Sequence, residues 1–243
     1  MPDKPPAFKD PTTLTRWTKG VLYAEIALSV VAIVSDVMEH ALLVAMDSGA
    51  YAGAQPEMMA QADASDQRQQ IIGILQLIMA AVSAILVLCW IYRANANARA
   101  LGAAHMRFTP GWAVGWYFIP IANFWKPYEA MKEIWMASAN PGDWQNERRS
   151  SLLPCWWFLW ILVNVLGQIL LRASSAAEGF AALLAVDLVS IAADALDIPL
   201  DLILIVIIGR IYRMQMDRLA RMPKIEQTET RSASAAPPRP DAG

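Results

Sequence analysis

The chain has little of what catalysis and metal binding most often use. Only two histidines and two cysteines occur among its 243 residues. His105 has no triad partner or ligand spacing near it, and His40 beside Glu39 does not complete an H-E-x-x-H motif. Cys89 and Cys155 form no C-x-x-C pair, which predicts that both are packing residues. We therefore expect no enzyme activity, no metal site and no cofactor.

Features that bind phosphate or nucleic acid are also missing. Gly111 and Gly115 come nearest to a glycine-rich loop, but no Lys-Ser or Lys-Thr pair follows them. Charged residues make up 17% of the chain, and 20 basic residues nearly balance 22 acidic ones. Because a nucleic-acid-binding surface needs a basic stripe, we expect no nucleic-acid partner.

Apolar residues are present in excess. The chain is 56% hydrophobic with a mean hydropathy of +0.32, which is more apolar than an ordinary soluble domain. A helix needs about 20 apolar residues to cross the hydrocarbon core of a bilayer. Four stretches meet that length, at about 21–46, 71–92, 152–172 and 191–209. They predict an all-α integral membrane protein with four transmembrane helices and the lipid bilayer as its surroundings.

The basic residues predict the orientation of these helices. All of the 20 except Arg68 and Arg172 lie in the N-terminal segment 1–20, in or beside the loop 94–150, or after the fourth stretch. Lys and Arg in short loops stay on the cytoplasmic side, so both termini should be cytoplasmic. The membrane domain then spans 21–222. The tail 223–243, rich in Pro, Ser and Ala, should be disordered because it has too little apolar content to fold.

The loop 94–150 contains an apolar segment too short to span a membrane, residues 110–127, here called the tryptophan–proline segment. Its three tryptophans favour the headgroup level of a bilayer, and its glycines and Pro120 interrupt any helix. The segment is therefore interfacial or shallowly re-entrant. Pro127 suits the first turn of a following helix. That helix should bury Met131, Ile134 and Trp135 and turn its charged residues, Glu129, Lys132 and Glu133, to the opposite face.

The residues in and before this segment resemble a bacterial multi-pass membrane domain family of unknown function. The resemblance rests on Trp90-x-Tyr92-Arg93-Ala94-x-x-Asn97, Leu101-Gly102, Pro110-x-Trp112-Ala113-Val114-Gly115-Trp116, Ile119-Pro120-Ile121-x-Asn123-x-Trp125-x-Pro127-Tyr128, Glu133-x-Trp135 and the I-x-x-x-Q element Ile211 to Gln215. It covers roughly residues 70–217 and implies a bacterial inner-membrane location without implying an activity. The candidate docking residues are Arg93, Asn97, Pro110, Trp112, Gly115, Trp116, Pro120, Asn123, Trp125 and Pro127.

Acidic residues recur at helical spacing near the fourth stretch. Asp187, Ser190, Asp194, Asp197 and Asp201 follow steps of 3, 4, 3 and 4, which places them on one helix face. Counting inward from the cytoplasmic cations at about 1.5 Å per residue puts several polar side chains at a similar depth. We call this set the polar layer: Asp36, Gln76, Gln168, Asp194, Asp197 and Asp201.

The polar layer has two interpretations. It forms an outward-open vestibule for a cation or proton, with Arg172 as the basic residue placed to meet it. Alternatively, its side chains only hydrogen-bond between helices, and the last helix starts later, near Pro199, leaving Asp187 and Asp194 in water. The sequence accordingly favours a non-enzymatic scaffold or accessory subunit that docks a membrane-protein partner, a second copy or lipid. The alternative is a small cation- or proton-coupled channel or transporter.

Overall fold

Six α-helices make up most of the chain over residues 7–222, which the computed structural model describes. They are α1 Thr12–Asp47, α2 Gln55–Ala100, α3 Pro110–Gly115, α4 Lys126–Ala139, α5 Leu152–Ser174 and α6 Phe180–Arg221. Short 3-10 turns occur at Trp116–Phe118, Ala122–Phe124 and Pro141–Asn146. No strand occurs within 7–222, and the all-α prediction is confirmed. The predicted disordered tail, 223–243, lies outside the described residues.

Three of these helices, α1, α2 and α5, are long and apolar enough to cross a membrane. The sequence predicted four such helices, and α6 does not qualify as the fourth by length and composition. Asp187, Asp194, Asp197 and Asp201 in the first part of α6, and the arginines from Arg210 onward, leave no sufficiently apolar stretch between them. A helix with this many ionisable groups needs partners for them before it can enter lipid.

Two helices extend beyond their predicted bounds. α2 begins at Gln55, so most of the predicted connection before residue 71 is helical. Neither Gly nor Pro interrupts residues 57–72, and Ala, Gln and Met there favour helix. α6 begins at Phe180, and Pro199 lies inside it. The expectation that the last helix starts near Pro199 is therefore wrong.

The described chain forms two compact units. The loop unit comprises residues 7–19, 85–154 and 206–222, and the helix unit comprises 20–84 and 155–205. In the loop unit, Phe8, Leu101 and Leu219 form a buried apolar cluster. Helices α3 and α4 both belong to the loop unit, which therefore contains the whole tryptophan–proline segment.

Helix α4 begins beside Pro127, as predicted, and buries its apolar stripe. Met131 and Ile134 are fully buried and Trp135 nearly so. The predicted solvated face is wrong at one position, because Glu133 is only 4% exposed. Cys89 and Cys155 also differ from expectation, since both are exposed and neither packs in a core.

Candidate functional site

The buried Glu133 side chain holds the loop that precedes α3. Its two carboxylate oxygens accept hydrogen bonds from the backbone N–H groups of Arg107 and Phe108, each at 3.0 Å. Burial raises the pKa of Glu133 above its usual 4.5, although these two donors and Arg99 favour the charged form. Because the acceptor is a carboxylate, the two bonds are stronger than bonds between neutral groups. Glu133 thus ties α4 to the loop.

Helix α2 holds the same loop from its other side. The carbonyl oxygen of Phe108 accepts from Asn95 Nδ2 at 3.0 Å and from Arg99 Nη2 at 2.9 Å. Arg99 Nη2 also donates to the carbonyl of Met106 at 2.9 Å, and Arg99 Nε donates to Asn95 Oδ1 at 3.2 Å. The backbone of Phe108 is therefore bonded through both its N–H and its C=O, which fixes the position from which its ring projects.

Several residues of the family pattern are structural. Trp90 Nε1 donates to Thr15 Oγ1 at 3.1 Å, within the loop unit. Asn97 is fully buried and bonds the backbone N–H and C=O of Lys9 at 3.0 and 2.8 Å. Asn97 was predicted as a docking residue, and its burial contradicts that role. A side chain with both polar ends satisfied inside the fold has nothing to offer a partner.

Gln215 belongs to the same structural group. It is 1% exposed, and its Nε2 donates to the carbonyl of Ala94 at 2.8 Å and to Ser138 Oγ at 2.9 Å. One amide therefore joins the last turns of α6 to α2 and α4 inside the loop unit. This contact accounts for the glutamine at the end of the I-x-x-x-Q element, Ile211 to Gln215.

Helix α3 opens the tryptophan–proline segment. Thr109 caps it, because its Oγ1 accepts from the backbone N–H of Trp112 at 3.3 Å, and Pro110 occupies its first turn. The rings of Trp112 and Trp116 lie with centroids 4.9 Å apart. A Cβ added at Gly115 would stand 3.3 Å from Cε3 of Trp112, so glycine lets the indole lie close to the backbone.

The rest of the segment presents large apolar side chains. Phe118, Ile121 and Phe124 are 71%, 73% and 57% exposed. A contiguous set of exposed rings and aliphatic side chains on a protein surface marks an interaction site or a membrane contact.

The predicted docking residues do not all share this exposure. Trp112, Pro120 and Trp125 are exposed; Arg93, Pro110, Gly115, Trp116 and Asn123 are half-buried; and Asn97 and Pro127 are buried. Pro127 serves the first turn of α4, which makes it structural. Asn123 Oδ1 has no hydrogen-bond partner within residues 7–222.

A small open pocket lies in the loop unit between α3, the loop before it and the start of α4. Arg107, Phe108, Trp112, Trp116 and Lys126 line its cavity of about 240 Å³. The Arg107 guanidinium carbon and Lys126 Nζ each lie 5.8 Å from the centre of the Phe108 ring. The sequence singled out neither cation, because they are 19 residues apart and only the fold brings them to one ring.

Two hydrogen bonds within the helix unit involve residues of the polar layer. Gln69 Nε2 donates to Asp36 Oδ1 at 2.9 Å, and Gln76 Nε2 donates to Asp194 Oδ1 at 2.8 Å. Asp36 and Asp194 are both buried, and Asp36 Oδ2 has no hydrogen-bond partner within residues 7–222. Asp197 and Asp201 are half-buried on the same helix face. Helical spacing predicted this face correctly.

Other members and neighbours of the layer are placed differently from expectation. Gln168 is exposed on α5, and no hydrogen bond joins it to the layer in the described chain. Arg172 is exposed too. The basic side chains that lie near the polar layer are His40 and Arg68, and Arg68 Nε donates to Ser35 Oγ at 2.8 Å. His40 Nδ1 lies 2.7 Å from Asp187 Oδ2, so Asp187 is buried and paired instead of standing in water.

Metal-ligating groups do not converge in either unit. Within residues 7–222, no three His, Cys, Asp or Glu side chains form a group that could hold a metal ion.

These features define a helical protein with membrane-length helices and a separate folded loop unit. The chain belongs to the family described as a domain of unknown function (DUF4328), which it matches over residues 55–213. Comparison with curated proteins and with solved structures gives no match. The resemblance seen in the sequence is confirmed, and the match begins at the start of α2, earlier than the residues that carried it.

Proposed function

We propose that this protein is a multi-pass bacterial inner-membrane scaffold or accessory subunit without enzyme activity. Its tryptophan–proline segment docks a partner at the cytoplasmic face. One observation carries the proposal. Exposed apolar side chains, Phe118, Ile121 and Phe124, project from a segment whose base is held by the buried Glu133 and Asn95. A fixed base with an exposed apolar surface is what a docking site needs, because little order has to be gained on binding.

In this proposal the chain crosses the membrane four times, with α6 as the fourth span. Two of its acidic residues are already partnered: Asp187 with His40, and Asp194 with Gln76. Intramembrane carboxylates are tolerated when they face other helices and are paired. The distribution of Lys and Arg then places both termini and the loop unit in the cytoplasm.

The topology is tested by labelling single cysteines with a membrane-impermeant maleimide in intact cells, in a chain whose Cys89 and Cys155 are replaced by Ala. Ala52→Cys, exposed between α1 and α2, should label from outside. Ala104→Cys, exposed between α2 and α3, should label only after lysis. Labelling of both positions from the same compartment would overturn the arrangement.

The docking role is tested by affinity capture in mild detergent followed by mass spectrometry. Phe118→Ala and Phe124→Ala should abolish co-purification of the companion, whether a different membrane protein or a second copy of the chain. Phe158→Ala is the matched control, since Phe158 is 65% exposed on α5, outside the segment. A companion retained by both segment variants would contradict the proposal.

A second function, passage of a cation or proton, is favoured by the buried carboxylates of Asp36 and Asp194, which lie close enough to repel each other. Two such groups share a proton or a cation more readily than they both ionise. The test is cation and proton flux in proteoliposomes, comparing the wild type with Asp36→Asn and Asp194→Asn. Lower flux in the variants than in the wild type would establish conduction. Equal flux would mean that these carboxylates serve only in hydrogen bonds between helices.

A further inference from the structure

The pocket beside Phe108 has the composition of a site for a small anion attached to an apolar body. Two of its five lining residues are cations, Arg107 and Lys126, and the other three are aromatic. Its cavity of about 240 Å³ is smaller than the roughly 300 Å³ at which pockets for drug-sized ligands begin. It therefore suits a headgroup better than a whole metabolite.

The cations are held at the pocket instead of moving freely in solvent. Both lie 5.8 Å from the centre of the same Phe108 ring, within the range of cation–π attraction. Lys126 Nζ also bonds Glu129 Oε2 at 2.8 Å, whereas the Arg107 guanidinium has no carboxylate within ion-pair distance in the described chain. Arg107 thus keeps its charge and its fork of donors for a ligand.

The ring that organises the two cations is itself fixed. Phe108 is 6% exposed, and its backbone bonds Glu133 on one side and Asn95 with Arg99 on the other. The pocket wall on the other side is the Trp112–Trp116 pair, which Gly115 allows to approach the backbone. The anion site is therefore built before any ligand arrives.

The apolar surroundings indicate where the anion comes from. Phe118 and Ile121, in the same segment as the pocket tryptophans, are 71% and 73% exposed. Indoles favour the headgroup level of a bilayer, and Lys and Arg there attract anionic lipids. An anionic phospholipid supplies a phosphate and acyl chains in one molecule. A soluble phosphate supplies only the first.

We propose that the pocket formed by Arg107, Phe108, Trp112, Trp116 and Lys126 binds the phosphate of an anionic phospholipid of the cytoplasmic leaflet. Through this site the loop unit recognises anionic lipid. This inference rests on the proposed function in one respect, since it needs the loop unit at the membrane surface.

The test measures lipid binding to the purified full-length protein in detergent by native mass spectrometry. Dioctanoyl phosphatidylglycerol, dioctanoyl phosphatidylcholine and inorganic phosphate are compared as probes. The wild type should prefer phosphatidylglycerol to phosphatidylcholine. Arg107→Gln with Lys126→Gln should lower its affinity on the order of tenfold, because two charge-assisted contacts are lost. Affinity for the choline lipid should not change.

Arg148→Gln with Arg149→Gln is the matched control, because both arginines are exposed cations of the loop unit outside the pocket. This pair should keep the preference. Arg107→Lys, which preserves the charge, should keep most of it, and it guards against a folding defect in the double variant. An unchanged preference in the pocket variant, an equal loss in the control pair, or displacement of the lipid by millimolar inorganic phosphate would each overturn the proposal.

Failure of this inference and failure of the proposed docking role are distinguishable. A pocket variant that loses lipid preference while keeping its companion supports the lipid site alone. If the Phe118→Ala or Phe124→Ala variant still co-purifies with the companion, the docking role is wrong. The lipid site is judged by the pocket variant instead, because the charges of Arg107 and Lys126 are unchanged in these two variants. Loss of the companion in the pocket variant, with lipid preference unchanged, would show that the pocket binds protein and would overturn the lipid assignment.

Discussion

Glu133 and Phe108, 25 residues apart in the chain, are joined by a hydrogen bond of 3.0 Å from the backbone N–H of Phe108 to a buried carboxylate oxygen. The second oxygen accepts from the neighbouring N–H of Arg107. This bridge positions the ring around which the two pocket cations stand. A carboxylate that helical periodicity placed on the solvent face is therefore a positioning residue of the candidate site.

Replacing Glu133 by Ala should lower the free energy of unfolding by about 1–3 kcal/mol for each of the two backbone donors left without an acceptor. Thermal melting of the purified protein in detergent measures this loss. Glu129→Ala is the control, because the partly exposed pair of Glu129 with Lys126 contributes at most about 1 kcal/mol. Equal losses in the two variants would contradict the bridging role of Glu133.

The pH dependence of stability should carry a contribution from Glu133. Burial raises its pKa in the folded chain above the usual 4.5, so the folded state binds the proton more tightly than the unfolded state. The stability that this group contributes is complete below pH 4.5 and is lost as pH rises through the raised pKa. Glu133→Gln cannot titrate, so the wild type should lose stability relative to this variant as pH rises from 4.5 toward neutrality.

Melting temperatures of both proteins over a pH series provide the comparison. Other carboxylates titrate in both proteins, so their effects largely cancel in the difference. A difference that grows in favour of the wild type with rising pH would mean that the two N–H donors outweigh burial, and it would refute the direction of the shift.

Gly115→Ala should disturb the pocket, because the new Cβ would stand 3.3 Å from the Trp112 ring and push it outward. We expect affinity for phosphatidylglycerol to fall severalfold. Gly111→Ala lies in the same helix and meets nothing within 4 Å, so it should leave the affinity unchanged. Both changes replace a helical glycine by alanine, which matches their effect on helix propensity. The same affinity in both variants would argue against Trp112 as a pocket wall.

Gln215 and Ser138 should be energetically coupled, since Gln215 Nε2 donates to Ser138 Oγ inside the loop unit. Gln215→Leu should cost about 1–3 kcal/mol of stability, because the carbonyl of Ala94 and the Ser138 hydroxyl lose a buried donor. In a double-mutant cycle with Ser138→Ala, the coupling should be about 0.5–3 kcal/mol. Additive effects would show that the contact does not hold α6 in place.

Local patterns predicted the helices and some of their faces. Apolar length located α1, α2 and α5, steps of three and four placed Asp187 and Asp194 on one face of α6, and Pro127 marked the start of α4. Where a pattern says nothing about partners, prediction failed. Gln168 was assigned to the polar layer, and Arg172 was expected to meet it, from their positions along α5 alone. Both are exposed, because depth along a helix does not specify the direction of a side chain.

By itself, the sequence determined that this is an all-α chain with membrane-length apolar helices and an interrupted tryptophan–proline segment, since length, composition and spacing act within one helix at a time. Only the tertiary structure decided that Glu133 is buried on the backbone of Phe108 and that Arg107 and Lys126 share one ring. Those contacts join segments distant in the chain. Their energies depend on which backbone donors and rings the fold brings together, and no residue pattern records that.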